Sequence, residues 1–121
     1  MLYLDSCIEG AQKVIADETV DLVIADPPYN LKFGGTTQTK NKKPRFQIFP
    51  NDNLPFPDYR RFCLAWLRQA YRILKPGSHV YIFIDWRTYP DMARWLKITG
   101  FTFKNCIVWD KKNMGMGWQY R

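Results

Sequence analysis

Val20-Asp21-Leu22-Val23-Ile24-Ala25-Asp26-Pro27-Pro28-Tyr29 is the stretch on which the fold turns. Four apolar residues in a row, Leu22 to Ala25, read as a strand buried on both faces, the pattern of a parallel sheet. The strand stops at Asp26-Pro27-Pro28. Two prolines fix their own φ, donate no N–H to a ladder and push the residue before them out of the helical region. In open α/β sheets, sites form just beyond the carboxyl ends of strands. This corner therefore stands where a site is expected.

Reading outward from it, strand and helix alternate. Met1 to Leu4 is a short apolar start that suggests a strand. Ile8, Ala11 and Ile15 repeat at helical spacing and predict a short helix ending near Asp17. Beyond the corner, residues 31–56 are polar, basic and without period, and loops of that length inside compact domains are usually functional or disordered. Asp58 can cap a following helix whose apolar stripe is Phe62, Trp66, Ala70, Ile73 and Leu74, and Lys75-Pro76-Gly77 ends it. His79 to Asp85 predicts a second buried strand. A third helix runs from about Thr88, buries Met92, Trp95 and Leu96, and closes at Gly100. Phe101 to Trp109 predicts another strong strand, and a Gly/Met/Asn loop occupies 111–121. Such alternation predicts an α/β fold with helical crossovers, in a single domain over 1–121 without repeats.

Composition narrows the function. Hydrophobic residues at 46% and aromatics at 17% exclude a disordered chain. No apolar run approaches the roughly 20 residues of a membrane span, and the first ten residues lack the apolar core of a secretory leader. Cys7, Cys63 and Cys106 form no CxxC pair, so neither a disulfide framework nor a metal site is indicated, and a reduced cytoplasmic setting fits. The formal charge of +7 favours a polyanionic partner. Lys32, Lys40, Lys42, Lys43 and Arg45 fall between Leu31 and Asn51 with no acid among them. A solvated loop without any partner would carry the same residues.

The corner has chemistry of its own. The prolines bring carbonyl acceptors beside the Asp26 carboxylate, and Tyr29 adds a flat aromatic face. An acid, a carbonyl and an aromatic plate together suit a planar group bearing an –NH₂. The plainer alternative is that Pro27-Pro28 only ends the strand and Tyr29 packs at the edge of the core. His79 has no carboxylate or Cys beside it and reads as structural. Trp66, Trp95 and Trp109 have the spacing of core residues, and Asp85, ending its strand as Asp26 does, is a candidate for the same crevice.

Ile24-Ala25-Asp26-Pro27-Pro28-Tyr29-Asn30 resembles the catalytic motif of the DNA amino-methyltransferases that act on adenine N6 or cytosine N4. Cys7-Ile8-Glu9-Gly10 and Asp17-Glu18-Thr19-Val20-Asp21-Leu22 resemble the family's opening segment. Ala70 to Ser78 resembles the helix end before its next strand, and Val108 to Gly117 resembles the segment closing the catalytic region. The resemblance implies a partial Rossmann-like S-adenosylmethionine methyltransferase sheet of about four strands with flanking helices. The order is that of permuted members, with the catalytic motif first. It implies catalytic roles for Asp26, Pro27, Pro28 and Tyr29. It implies cofactor contacts from Asp26 and from Asp5 or Ser6. Ser6 holds the position of the family's acid, and Asp5 would face the other way if a strand still ran there. Asn30, Lys32, Lys40, Lys42, Lys43, Arg45 and Trp118 are implied to meet the substrate, double-stranded DNA. The family's Gly-rich FxGxG-type cofactor turn is not found, since Gly34-Gly35 follows no strand, so a carboxyl-terminal half or second subunit is expected to carry it.

With a complete site, Asp26 and the Pro27 carbonyl would accept both N–H groups of a flipped-out base amine and aim its lone pair at the sulfonium methyl. Asp rather than Ser at position 26 leans towards adenine N6 over cytosine N4. A catalytically silent DNA-binding fragment is the reading from a different class, and methylation of RNA or of a protein amide is a third.

Overall fold

Ser6 opens the first helix. Its hydroxyl accepts the Ile8 N–H at 3.3 Å, satisfying one of the donors that a helix start leaves unpaired. Helix α1 spans Cys7–Val14, followed by strand β1 at Val20–Ala25, helix α2 at Phe56–Ile73, strand β2 at Leu74–Ile82 and helix α3 at Tyr89–Ile98. These elements lie within residues 2–32, 50–110 and 112, the residues that the computed structural model describes. The interior of the basic 31–56 stretch and most of the 111–121 loop fall outside them.

Strands β1 and β2 pair in parallel, which requires a crossover, and α2 lies on that crossover. The register runs from Leu22 opposite His79 to Ala25 opposite Ile82. Below it, Val20 stands opposite Leu74, so Asp21 alone faces the whole of Lys75-Pro76-Gly77-Ser78. Gly77 turns this bulge at φ +81°. Lys75-Pro76-Gly77 is thus not the end of a helix but a bulge within β2. Helix α2 stops at Ile73 and the strand begins at the next residue. At its other end α2 starts two residues ahead of Asp58, with a proline in its first turn and Asp58 placed where negative charge suits the helix dipole.

The core lies between α2, α3 and one face of the sheet. Tyr59, Cys63, Leu64, Trp66, Leu67 and Ala70 from α2 meet Met92, Trp95 and Leu96 from α3, with Val23, Ala25, Val80 and Ile82 packed against them. Gly100 closes α3 at φ +99°, and a Cβ there would come within 3.0 Å of the Tyr71 ring. Arg72 fastens α1 to α2. Its guanidinium donates to the carbonyls of Ala11 and Ile15, each at 2.9 Å, and to Asp17.

Three expectations are corrected. β1 is not buried on both faces: Leu22 and Ile24 are 46% and 65% exposed, because the described helices cover only the side of Val23 and Ala25. The described sheet has two strands rather than about four. Residues 2–4 and 101–110 form none, since a strand exists by its ladder and these segments pair with no described neighbour. Trp109 is accordingly not a core residue. It is 66% exposed and tilts over Phe83, ring centroids 5.3 Å apart.

Candidate active site

The last ladder bond of the sheet runs from the Phe83 N–H to the Ala25 carbonyl at 2.9 Å. There the chain leaves β1 as Asp26-Pro27-Pro28-Tyr29, and three separate segments take hold of it and of the residues that follow. The Tyr59 hydroxyl, from the first turn of α2, donates to the Pro28 carbonyl at 2.7 Å. The Thr88 hydroxyl, at the start of α3, donates to the Tyr29 carbonyl at 3.2 Å. Asn30 turns the chain at φ 60°, a left-handed geometry that Asn tolerates. Its side-chain amide meets both backbone groups of Leu54, donating at 3.0 Å and accepting at 2.7 Å. Leu31 N–H donates to the Asp52 carboxylate at 3.2 Å, and Lys32 N–H donates to the Asp52 carbonyl at 2.7 Å.

Within the corner, the Tyr29 hydroxyl donates to Asp26 Oδ1 at 2.5 Å. Desolvation, then this bond and the charges of Asp26 and Asp85, push the Tyr29 phenol well above its ordinary pKa. Burial, with smaller contributions from Cys63 and Asp52, does the same for Tyr59. Both phenols are therefore protonated donors across the physiological range.

The corner contributes to two cavities. Asp26, Pro27 and Pro28 border a cleft of about 510 Å³ between β1, α1 and α2. Asp5 and Ser6 stand at its rim, and Ile15, Val23, Phe62 and Trp66 line its apolar wall. Tyr29, Asn30 and Leu31 border a pocket of about 330 Å³ completed by Phe56, Tyr59, Arg87, Thr88 and Asp91. Strand alternation does not divide Asp5 from Ser6, because the chain bends at Asp5 and no strand runs there. The Asp5 carboxylate accepts the Ser6 N–H at 2.7 Å and stands 3.8 Å from Lys13. Ser6 meanwhile uses its hydroxyl as the helix cap.

The remaining candidates are dispersed. Lys32 is exposed. Lys40, Lys42, Lys43, Arg45 and Trp118 lie outside the described residues. Asp85 borders neither cavity but grips Arg87 at 2.8 and 3.2 Å. Burial alone would raise the Asp85 carboxyl, yet the side-chain and backbone hydrogen bonds of Arg87 and its charge outweigh that and hold it below the ordinary value. His79 is exposed on the open face of β2. Sequence reasoning missed Tyr59, Thr88 and Asp52. Tyr59 had one usable signal: it extends the stripe of Phe62, Cys63 and Trp66 back by a turn.

The corner and the elements behind it coincide with a known pattern. The model of the DNA methylase family, of the N6/N4 methyltransferase type, matches residues 20–121. The chain belongs to that family. Two curated relatives of this DNA methylase chain are the Type II methyltransferase M.HpaI of Haemophilus parainfluenzae and the Type II methyltransferase M.HinfI of Haemophilus influenzae. The first is 36% identical over 101 residues, 82% of this chain and 28% of its own length. The second is 29% identical over 110 residues, 88% of this chain and 30% of its own length. The DNA methylase chain thus spans under a third of the length of either relative. The family match begins at Val20, the first residue of β1, so it includes the corner but not Asp5 or Ser6. No described helix is long and apolar enough to cross a membrane.

Proposed function

We propose that this DNA methylase chain carries the site at which a methyl group passes from S-adenosylmethionine to the exocyclic amine of an extruded DNA base, with adenine N6 the favoured acceptor. One observation carries the reading: the Asp26-Pro27-Pro28-Tyr29 corner borders two cavities at once. A group transfer between two bound substrates needs both held against one set of groups with the reacting atoms in contact. The larger cleft, with carboxylates at its rim and an apolar wall, suits a ligand that combines a cationic centre with a flat ring system. Asp5, Ser6 and Asp26 would hold S-adenosylmethionine there, and when bound it supplies an electrophilic methyl group. The smaller pocket, next to Tyr29, is the place for the base.

The chain's own residues do the rest. An exocyclic amine is a poor nucleophile because its lone pair is delocalised into the ring. Tyr29 already occupies Oδ1 of Asp26, which leaves Oδ2 and the Pro27 carbonyl to accept the two N–H groups of the amine. Accepting both favours a pyramidal nitrogen with its lone pair aimed at the methyl, and stabilises the positive charge that develops there. Asp26 then takes the surplus proton. Stacking on Tyr29 offsets roughly 1–3 kcal/mol of the cost of extruding the base. Lys32, Lys40, Lys42, Lys43 and Arg45 would meet the phosphates of double-stranded DNA, with Asn30 and Trp118 nearer the base. Asp at position 26 favours adenine, because cytosine-N4 members of the resembling family more often carry Ser there.

The exposed face of the two-stranded sheet favours a second reading, in which this chain by itself is a silent DNA-binding piece that needs a carboxyl-terminal half or second subunit to hold the cofactor. Calorimetry separates the two, since a silent piece binds duplex DNA but not S-adenosylmethionine. Mass spectrometry of nucleosides from DNA exposed to the natural full-length protein and the cofactor tests the main reading. N6-methyl-2′-deoxyadenosine is the expected product; N4-methyl-2′-deoxycytidine would reassign the base, and no methylated nucleoside would refute the transfer.

A further inference from the structure

The corner presents several backbone carbonyls in close succession, and a base amine needs one particular carbonyl as its second acceptor. Their bonding differs. The Pro28 carbonyl is taken by the Tyr59 hydroxyl at 2.7 Å and the Tyr29 carbonyl by the Thr88 hydroxyl at 3.2 Å. Among the described residues, no donor meets the carbonyls of Asp26 and Pro27, two residues that border the larger cleft.

Neither hydroxyl is placed by chance. Tyr59 is 1% exposed, its ring set edge-on to Trp95 at 5.8 Å, so its hydroxyl is delivered from a fixed position in the core. Thr88 leads into α3, where its own carbonyl accepts the Met92 N–H at 2.9 Å, so it moves only with the helix. One hydroxyl comes from each of the two helices that build the core, and they reach adjacent peptide groups.

We infer that Tyr59 and Thr88 are positioning residues that fix the peptide planes after Pro28 and Tyr29, leaving the carbonyls of Asp26 and Pro27 as the open acceptors of the corner. The inference rests on the proposed methyl transfer and adds what keeps the Pro28 and Tyr29 carbonyls from competing for the amine. Two prolines remove rotation about φ but not about ψ. The peptide plane that carries the Pro28 carbonyl can still swing, and only a bond to that oxygen stops it. Without the Tyr59 hydroxyl, the Pro28 carbonyl is a half-buried acceptor in search of a donor, and it becomes free to compete for the amine. An amine shared between two carbonyls no longer presents its lone pair along one line.

The test is single-turnover methyl transfer by the natural full-length protein, measured with saturating cofactor and duplex DNA, alongside binding of each. Tyr59→Phe keeps the ring and removes only the hydroxyl. It is expected to slow the transfer step by about tenfold or more while leaving the dissociation constant for S-adenosylmethionine, whose cleft Tyr59 does not line, within about twofold, as a loss of alignment should. Thr88→Val is expected to slow the step by a smaller factor, and Thr88→Ser, which retains the hydroxyl, to restore it. Tyr59→Phe and Thr88→Val proteins that melt earlier yet transfer at the unsubstituted rate would overturn the inference and leave the proposed function standing. Absence of transfer by the unsubstituted protein would overturn the proposed function and this inference with it.

Discussion

Residues 26–27 and residues 28–32 are neighbours in the chain with opposite bonding. In the second group, every residue from Pro28 to Lys32 makes a backbone or side-chain hydrogen bond to α2, to Thr88 or to residues 52–54. In the first, the Asp26 carboxylate has one internal donor, the Tyr29 hydroxyl, and the Pro27 carbonyl has none among the described residues. The difference teaches how a reactive group is held without being consumed by its own scaffold. Apart from the Tyr29–Asp26 bond, the bonds that give the corner its shape attach downstream, so the atoms at its head can keep most of their lone pairs for a ligand.

That contrast can be broken from the held side. The largest effect on stability is expected for Arg72→Met, which removes the guanidinium's bonds to the carbonyls of Ala11 and Ile15 and loosens α1 from α2. About 3 kcal/mol should be lost in urea unfolding, as expected when several hydrogen bonds to a charged group go together. Because α1 forms the far wall of the larger cleft, binding of S-adenosylmethionine should weaken as well. Asn30→Ala should cost somewhat less, about 2 kcal/mol, by orphaning both backbone groups of Leu54. A denaturation midpoint unchanged by Asn30→Ala would show that residues 28–32 are not held as described.

The smallest effect concerns acid. The folded Asp85 carboxyl lies below its ordinary value, so its contribution is present above the unfolded carboxylate pKa and is lost as pH falls through the folded one. Arg87→Met should remove that acid-side loss while costing under about 1 kcal/mol at neutral pH, since the Arg87 side chain is 55% exposed and solvent screens the pair. Melting temperatures from pH 7 down to pH 3 measure it. Parallel curves for the two proteins would remove Asp85–Arg87 from the acid response.

The same contrast shows what the sequence could and could not reveal. β1, the corner and the end of α3 at Gly100 were legible because each depends on local rules: an apolar run, two prolines, a glycine at positive φ. The clamps were not. Tyr59 lies 31 positions from Pro28 and Leu54 lies 24 from Asn30, and no local pattern announces such a pairing. The start of β2 was hidden because Lys75-Pro76-Gly77 has the residues of a helix stop, whereas the chain uses them as a bulge opposite Asp21. Residues 101–109 show the reverse error. Their apolar, β-branched composition gives the capacity for a strand, but a ladder needs a neighbour, and Ile107 and Val108 remain 73% and 86% exposed. The methylase assignment was legible because Asp26-Pro27-Pro28-Tyr29 is contiguous, so its chemistry does not wait on the fold.

The most direct measurement is the single-turnover rate of methyl transfer to duplex DNA by the natural full-length protein and by its Asp26→Ala variant, with the melting temperature of each recorded beside it. Asp26 is exposed and supports no other element of the fold, so stability should hardly change. Transfer is expected to fall by on the order of 10²- to 10⁴-fold, the range for loss of a positioned proton acceptor. Transfer at the unsubstituted rate would contradict the site.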